Sequence, residues 1–260
     1  MSPLVIALAI AVGLSLGLLG GGGSILTVPI LVYVAGFAPK EATATSLVVV
    51  GATSLLGVLG HWRAGNVNLR VAGIFGAVAM TGTYLGAWLA AFVSGTVQLV
   101  LFALVMLLAA SFMFRGPRPI GAGASGPTTD QRATEMRLGP IVAAGLTVGA
   151  LTGLVGVGGG FLIVPALVLL LQLPMKQAVG TSLLVIAMNA ATGFLGYAGQ
   201  VTIDWETTAA FAAASTGGIL VGSMLVRSVS AHALRRAFAF VLVGMGIFIL
   251  YQNRVGLLPS

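Results

Sequence analysis

Apolar residues fill ten long stretches, at about 4–19, 25–34, 42–59, 69–93, 97–114, 138–155, 161–173, 178–198, 207–226 and 234–251. Charged residues fall at or near their ends. Five stretches precede and five follow a segment from 115 to 137 that is rich in Gly, Pro, Ser and Thr and carries four Arg, the composition of a solvated linker. A helix crossing a bilayer needs about 20 residues, because each adds 1.5 Å against a core of roughly 30 Å. Residues 25–34 are too few to cross alone. The break before them is the run Gly20-Gly21-Gly22-Gly23-Ser24, and a second run, Gly156-Val157-Gly158-Gly159-Gly160, interrupts the later half at the same place.

The two runs are 136 residues apart, and this offset aligns more than glycine. It pairs Gly17 with Gly153, Pro29 with Pro165, Lys40 with Lys176, Thr45-Ser46 with Thr181-Ser182, Gly57 with Gly193 and Gly60 with Gly196. It also carries Gly82-x-x-x-Gly86 onto Gly218-x-x-x-Gly222. The Pro, Lys and Thr-Ser matches mark an internal repeat.

Charge decides how the halves are oriented. Either 4–34 is one broken crossing, or its two parts enter and return to the same side. If they return, each half crosses an odd number of times and the halves are inverted. One side then holds Arg63, Arg70, Arg115, Arg118, Arg132, Arg137, Lys176, Arg227, Arg235 and Arg236, ten cations against Lys40 and Arg254 on the other. Continuous crossing gives seven against five. The positive-inside rule selects inversion. The expected fold is all-α: a polytopic integral membrane protein of two inverted repeats, each of about five helical segments, with broken or re-entrant short helices at the glycine runs. Its parts are a first membrane repeat (1–114), a cytoplasmic linker (115–137) and a second membrane repeat (138–260), with both termini outside.

Composition agrees with this pattern. Hydrophobic residues make up 58% of the chain and charged ones 7%, with mean hydropathy +1.10, far from the roughly 25% charge of soluble domains. The net charge of +7 is not clustered on an amphipathic face or interleaved with aromatics, so nucleic acid is not an expected partner. There is no cysteine, which excludes disulfides, thiolate metal sites and Cys nucleophiles. Met1-Ser2-Pro3 lacks the positively charged leader of a secretory signal, so the N-terminus is expected to belong to the mature protein.

Unwound backbone at membrane depth is tolerated only where it packs in protein or lines a cavity. In transporters of inverted repeats, half-helix N-termini at such breaks present free N–H groups and a positive dipole end to anions. Here half-helices starting at Ser24 and Phe161 offer these ends, with the Ser24 hydroxyl as a further donor. The expected substrate-binding residues are Gly20, Gly21, Gly22, Gly23, Ser24, Gly156, Gly158, Gly159 and Gly160. Thr45, Ser46, Thr181, Ser182 and Asn189 are expected to line the same path. Each has a competing structural reading: hydroxyls bond back to carbonyls a turn earlier, and a buried amide can link helices. For the Gly82/Gly86 and Gly218/Gly222 pairs, close helix packing is the favoured reading. Adjacent glycines cost a helix about 1 kcal/mol each, which argues against packing alone at the two runs. No Lys-Ser or Lys-Thr follows them, so a Walker loop does not fit. His61, Arg63, Lys40 and Lys176 are candidates for gating or anion steering, set against ordinary roles as boundary residues. No Asp or Glu lies inside an apolar stretch, which disfavours a buried-carboxylate proton relay.

Gly17-Leu18-Leu19-Gly20-Gly21-Gly22-Gly23-Ser24 with Pro29, the matching Gly153-Leu154-Val155-Gly156-Val157-Gly158-Gly159-Gly160 with Pro165, and the two Thr-Ser pairs resemble the TauE/SafE family of sulfite exporters. The resemblance implies an inner-membrane exporter of sulfite or of a small organosulfonate such as sulfoacetate. The expectation is therefore a secondary transporter working by alternating access, with a passive anion channel of the same architecture as the alternative. Its partners are a small anionic sulfur substrate and membrane lipid, with a homodimer left open. No cofactor, metal or catalytic residue is expected: the two His are far apart, and there is no H-E-x-x-H or carboxylate pair.

Overall fold

A computed structural model describes residues 2–90, 92–115, 138–155, 160–197, 201–226 and 228–252. They form α1 (Pro3–Leu19), α2 (Gly22–Tyr33), α3 (Pro39–Arg63), α4 (Leu69–Ala90), α5 (Gly95–Arg115), α6 (Leu138–Val155), α7 (Gly160–Pro165), α8 (Met175–Tyr197), α9 (Trp205–Leu225) and α10 (Ala231–Gln252). A π-helical turn, Ala166–Leu170, continues α7. No strand occurs among the described residues. Six helices are long and apolar enough to cross a membrane: α3, α4, α5, α8, α9 and α10. α1, α2, α6 and α7 with its π turn are shorter. This is a polytopic all-α membrane protein. Leu195, Met224 and Phe240 are among the large apolar side chains exposed on its outer surface.

Element boundaries recur at the offset of 136. α3 starts at Pro39 and α8 at Met175, α4 at Leu69 and α9 at Trp205, α5 at Gly95 and α10 at Ala231. The caps recur too, because the first-turn N–H groups of a helix need acceptors. Asn68 Oδ1 accepts from Val71 N at 3.1 Å before α4, and Asp204 Oδ1 from Thr207 N at 3.1 Å before α9. Ser94 and Ser230 do the same for α5 and α10. The Thr207 hydroxyl and N–H together hold the Asp204 carboxyl below its ordinary range. After α2, Gly36 has φ +78, and Gln172, its counterpart after the π turn, has φ +54. In both places a wide backbone bond closes the helix end, Phe37 N to Leu31 O at 2.9 Å and Leu173 N to Leu167 O at 3.0 Å.

Glycines decide which helices touch. A Cβ on Gly13 or Gly17 of α1 would strike the backbone of α9 at Ser215 and Ile219, and one on Gly218 or Gly222 would strike α1 at Ile10 and Leu14. The same contact is made between α6 and α4, with Gly149 and Gly153 against Ala79 and Thr83, and Gly82 and Gly86 against Leu146 and Ala150. These four-residue glycine spacings are packing faces, as favoured from sequence for Gly82/Gly86 and Gly218/Gly222. Each half is thus tied to the other through its first helix.

α3 and α8 run antiparallel through the centre, with Gly57 beside Leu183, Gly51 beside Ala190 and Gly193 beside Leu47. They are the most enclosed spans, 67% and 61% buried against 33–44% for the other four. α5 and α10 are also antiparallel: Gly246 lies against Leu107, and the Phe114 and Phe240 rings meet edge to face at 5.3 Å. These directions put Arg63, Arg70, Arg115, Lys176, Arg235 and Arg236 at one end of the bundle. Lys40, Glu41, Asp204 and Glu206 lie at the other.

Candidate functional site

α1 ends at Gly20, whose φ of +71 is a left-handed conformation that favours glycine, and its N–H closes the helix on Leu16 O at 2.8 Å. The chain then reverses, so that α2 lies back along α1. The break is shorter than the glycine run suggests. α2 begins at Gly22 rather than Ser24, and α7 at Gly160 rather than Phe161. Gly22 and Gly23 are helical because their bare Cα faces pack against α1: a Cβ on Gly22 would lie 2.8 Å from Ser15 Oγ, and one on Gly23 2.7 Å from Leu16 Cβ. Packing of this closeness offsets their poor helix propensity.

The two breaks meet. A Cβ on Gly21 would run into the Gly160 backbone, and one on Gly160 would lie 2.7 Å from both Ser24 Oγ and Ile186 Cδ1. A Cβ on Gly20 would lie 2.5 Å from Ser182 Oγ. Phe161, fully buried, is fixed beside this junction by an edge-to-face contact with Phe102 at 5.0 Å. The start of α2, whose first-turn N–H groups have no partner within their own helix, therefore abuts the start of α7. The structure gathers Gly20, Gly21, Ser24, Gly160 and Ser182 at one buried point. Gly156, Gly158 and Gly159 lie outside the described residues.

One stripe of α8 faces this junction. Ser182 touches the Gly20 side and Ile186 the Gly160 side, and Asn189 follows a turn later at helical spacing. Asn189 is 1% exposed, and neither end of its amide has a hydrogen-bond partner among the described residues. The matching stripe of α3 holds Ser46, Val50 and Thr53. Thr53 was not singled out from sequence, although the offset of 136 that pairs Ser46 with Ser182 also pairs it with Asn189. Ser15 and Ser54 are further hydroxyls, also missed, whose oxygens are buried without partners among the described residues. A lone Ser in an apolar run carries no signal that would have found them.

The hydroxyls are mostly engaged with backbone. Ser24 Oγ donates to Gly21 O at 2.7 Å, Ser46 Oγ to Thr43 O at 2.9 Å, and Ser182 Oγ to Val179 O at 2.7 Å. Thr181 Oγ1 accepts the Asn68 N–H at 3.0 Å, which ties α8 to the start of α4 rather than to the glycine junction. Thr45 Oγ1 is fully buried with no partner among the described residues.

His61 is also fully buried, and its Nε2 lies 3.0 Å from Gly17 O, one of the carbonyls left open where α1 stops. A carbonyl only accepts, so Nε2 carries the proton. His61 thus links α3 to the last turn before the break. Arg63 and Lys40 are exposed at opposite ends of α3, and Lys176 is half-buried in the first turn of α8. None of the three is in the glycine junction. No group of three or more His, Asp or Glu suited to a metal ion occurs among the described residues.

Comparison with known proteins agrees with this architecture. Residues 5–249 match the family described as sulfite exporter TauE/SafE, a span that takes in both halves. The chain is 35% identical over 246 residues to a probable membrane transporter protein of Xylella fastidiosa (strain 9a5c), covering 93% of this chain and 92% of the relative. It is 26% identical over 254 residues to probable membrane transporter protein YdhB of Bacillus subtilis (strain 168), covering 95% and 100%. No solved structure matches the chain. With a family match over nearly its whole length and a bundle of apolar spans around a buried polar junction, this multi-pass membrane transporter belongs to the TauE/SafE sulfite exporter family.

Proposed function

We propose that the protein is a secondary transporter that moves a small sulfur-containing anion, sulfite or an organosulfonate such as sulfoacetate, outward across the inner membrane by alternating access. The observation that carries this reading is the meeting of the α2 and α7 starts at Gly21 and Gly160. Helix N-termini and backbone N–H groups bind anions without a cation, and here they are enclosed in protein where water does not compete. The family's description as sulfite exporters supports the choice of anion. In this reading Ser46, Ser182 and Asn189 border the anion, His61 couples α3 to the break, and Arg63 and Lys176 steer anions at the basic end.

We further propose that 1–114 and 138–260 are inverted repeats, with both termini outside and 115–137 cytoplasmic. The antiparallel course of α3 and α8 supports inversion, since matching helices of parallel repeats would run the same way. The gathering of cations at one end supports the orientation.

Function and topology are tested separately. Reconstituted in vesicles, the protein should show saturable uptake of radiolabelled sulfite or sulfoacetate and accelerated exchange when unlabelled substrate is placed inside. Ohmic single-channel currents would identify a passive pore instead. A single cysteine introduced into the linker should resist an impermeant thiol reagent added to intact cells, and labelling there would reverse the orientation.

A further inference from the structure

We propose that Asn189 selects substrates that carry a hydrogen-bond donor as well as an anionic group: a singly charged oxyacid retaining an O–H, or a small sulfonate bearing a hydroxyl or amine. The proposal rests on the anion-site reading above and narrows it. Oxygen acceptors crowd the glycine junction. The Ser24 and Ser182 hydroxyls both reach it, yet each has given its proton to a backbone carbonyl, at 2.7 Å in both cases, and offers a ligand only lone pairs. One turn on from Ile186 along the same stripe of α8, Asn189 adds a carboxamide oxygen that is buried and without a partner among the described residues. Exchanging its amide N and O changes nothing, because both atoms are unpaired. A bare oxyanion satisfies the amide N–H and the helix-end N–H groups but leaves the acceptor oxygens facing negative charge. A ligand that also brings an O–H or N–H satisfies both kinds of group at once. The counterpart, Thr53, carries no open amide: its hydroxyl has given its proton to Val49 O at 2.7 Å, as Ser24 and Ser182 have given theirs.

The test uses two ligand pairs that differ by one donor. Ethanesulfonate is compared with 2-hydroxyethanesulfonate, which adds a donor on the tail. Methanesulfonate is compared with methylphosphonate, at a pH where the latter is singly ionised and keeps a donor on the head. Affinities are measured on the purified wild type, Asn189→Leu and Asn189→Thr. Both variants should fold, since each removes an unpaired buried amide, and the new Thr hydroxyl can bond Val185 O as Thr53 bonds Val49 O. In at least one pair the donor-bearing ligand should bind wild type about tenfold or more tighter than its partner, because a polar site left unpaired rejects the analogue. Asn189→Leu should shrink that preference by lowering affinity for the donor-bearing ligand more than for its partner, while Asn189→Thr, whose hydroxyl keeps acceptor lone pairs, should retain more of it. The pair that responds shows whether the donor sits on the head or the tail. Equal affinities within both pairs for wild type, or a preference undiminished in Asn189→Leu, would overturn the proposal while leaving the anion site intact. Failure of all four ligands to bind would overturn both.

Discussion

Thr181 and Thr45 hold matching positions in α8 and α3 and are equally buried, yet the Thr181 hydroxyl receives the Asn68 N–H while the Thr45 hydroxyl has no partner among the described residues. Other matched pairs divide the same way. Asn189 stands opposite Thr53, Gly160 opposite Ser24, Asp204 opposite Asn68 and Gln172 opposite Gly36. The glycines that seat α1 on α9 and α6 on α4, by contrast, match one for one. Backbone-to-backbone packing has no tolerance for a side chain, so those positions are held in both halves. Polar side chains have a choice of partners, and there the halves differ. The glycine contacts recur at the offset and the polar contacts do not.

The strongest test of the shared scaffold is at backbone contacts. Gly21→Ala would place a methyl in the Gly160 backbone, which has nothing to move aside, and should cost about 3 kcal/mol or more, with little folded protein recovered in detergent. Gly17→Ala and Gly153→Ala should destabilise to similar extents as each other. A large difference between these two would break the equivalence of the zippers.

His61→Ala comes next, at about 2–4 kcal/mol, because it opens a buried cavity and leaves Gly17 O without its donor. Thermal unfolding of the purified variant measures this directly. The threonine pair should then separate the halves. Thr181→Val uncaps the Asn68 N–H and should cost about 1–2 kcal/mol, whereas Thr45→Val removes an unpaired hydroxyl and should change stability by less than about 0.5 kcal/mol. Equal losses would mean that Thr45 has a structural partner after all.

Smaller effects are expected at the exposed ends. Gln172 occupies a left-handed conformation that costs an ordinary L-residue roughly 1 kcal/mol, so Gln172→Gly should stabilise by up to that amount. Gly36→Gln should destabilise correspondingly, both read from melting temperature. The smallest effect is a pH dependence. The Asp204 carboxyl is held below its ordinary value of 3.8 by Thr207, so its contribution is present above that value and lost as pH falls through the lower folded one. Asn68, its counterpart, does not titrate there. Asp204→Asn should flatten the acid side of the stability profile, and an unchanged profile would show that the cap contributes nothing measurable.

Much of the fold could be read from the chain because the repeat offset and the glycine runs are one-dimensional signals. Residues 25–34 are too short to cross, and α2 does fold back on α1. The glycine spacings announced close packing, but Gly13 and Gly17 could not name α9 as their partner, since any small-residue face would have fitted. The extent of the break was misjudged for a physical reason. Propensity alone makes Gly22 and Gly23 non-helical, and only the contacts with Ser15 and Leu16 make a helix there favourable. In the site, Asn189 stood out because an amide is rare in an apolar stretch. Thr53 did not, since Thr is common in such stretches. The role of Thr181 as an acceptor for the start of α4 depends on a turn between α3 and α4 whose path no local pattern specifies.

The interlocking of first and fourth helices also governs the order in which the molecule can be assembled. α1 leaves the ribosome well before α9, and its glycine face seats on α9, about 200 residues later, from Gly13 to Ser215. At 5–20 residues per second, α1 waits about 10–40 s for its partner. The wait is tolerable because most backbone groups of a helix bond within it, and the open Gly17 carbonyl at its end meets His61 once α3 is made. Until α9 arrives, the glycine face of α1 lacks the backbone it packs against, although every residue of the glycine junction has by then been made.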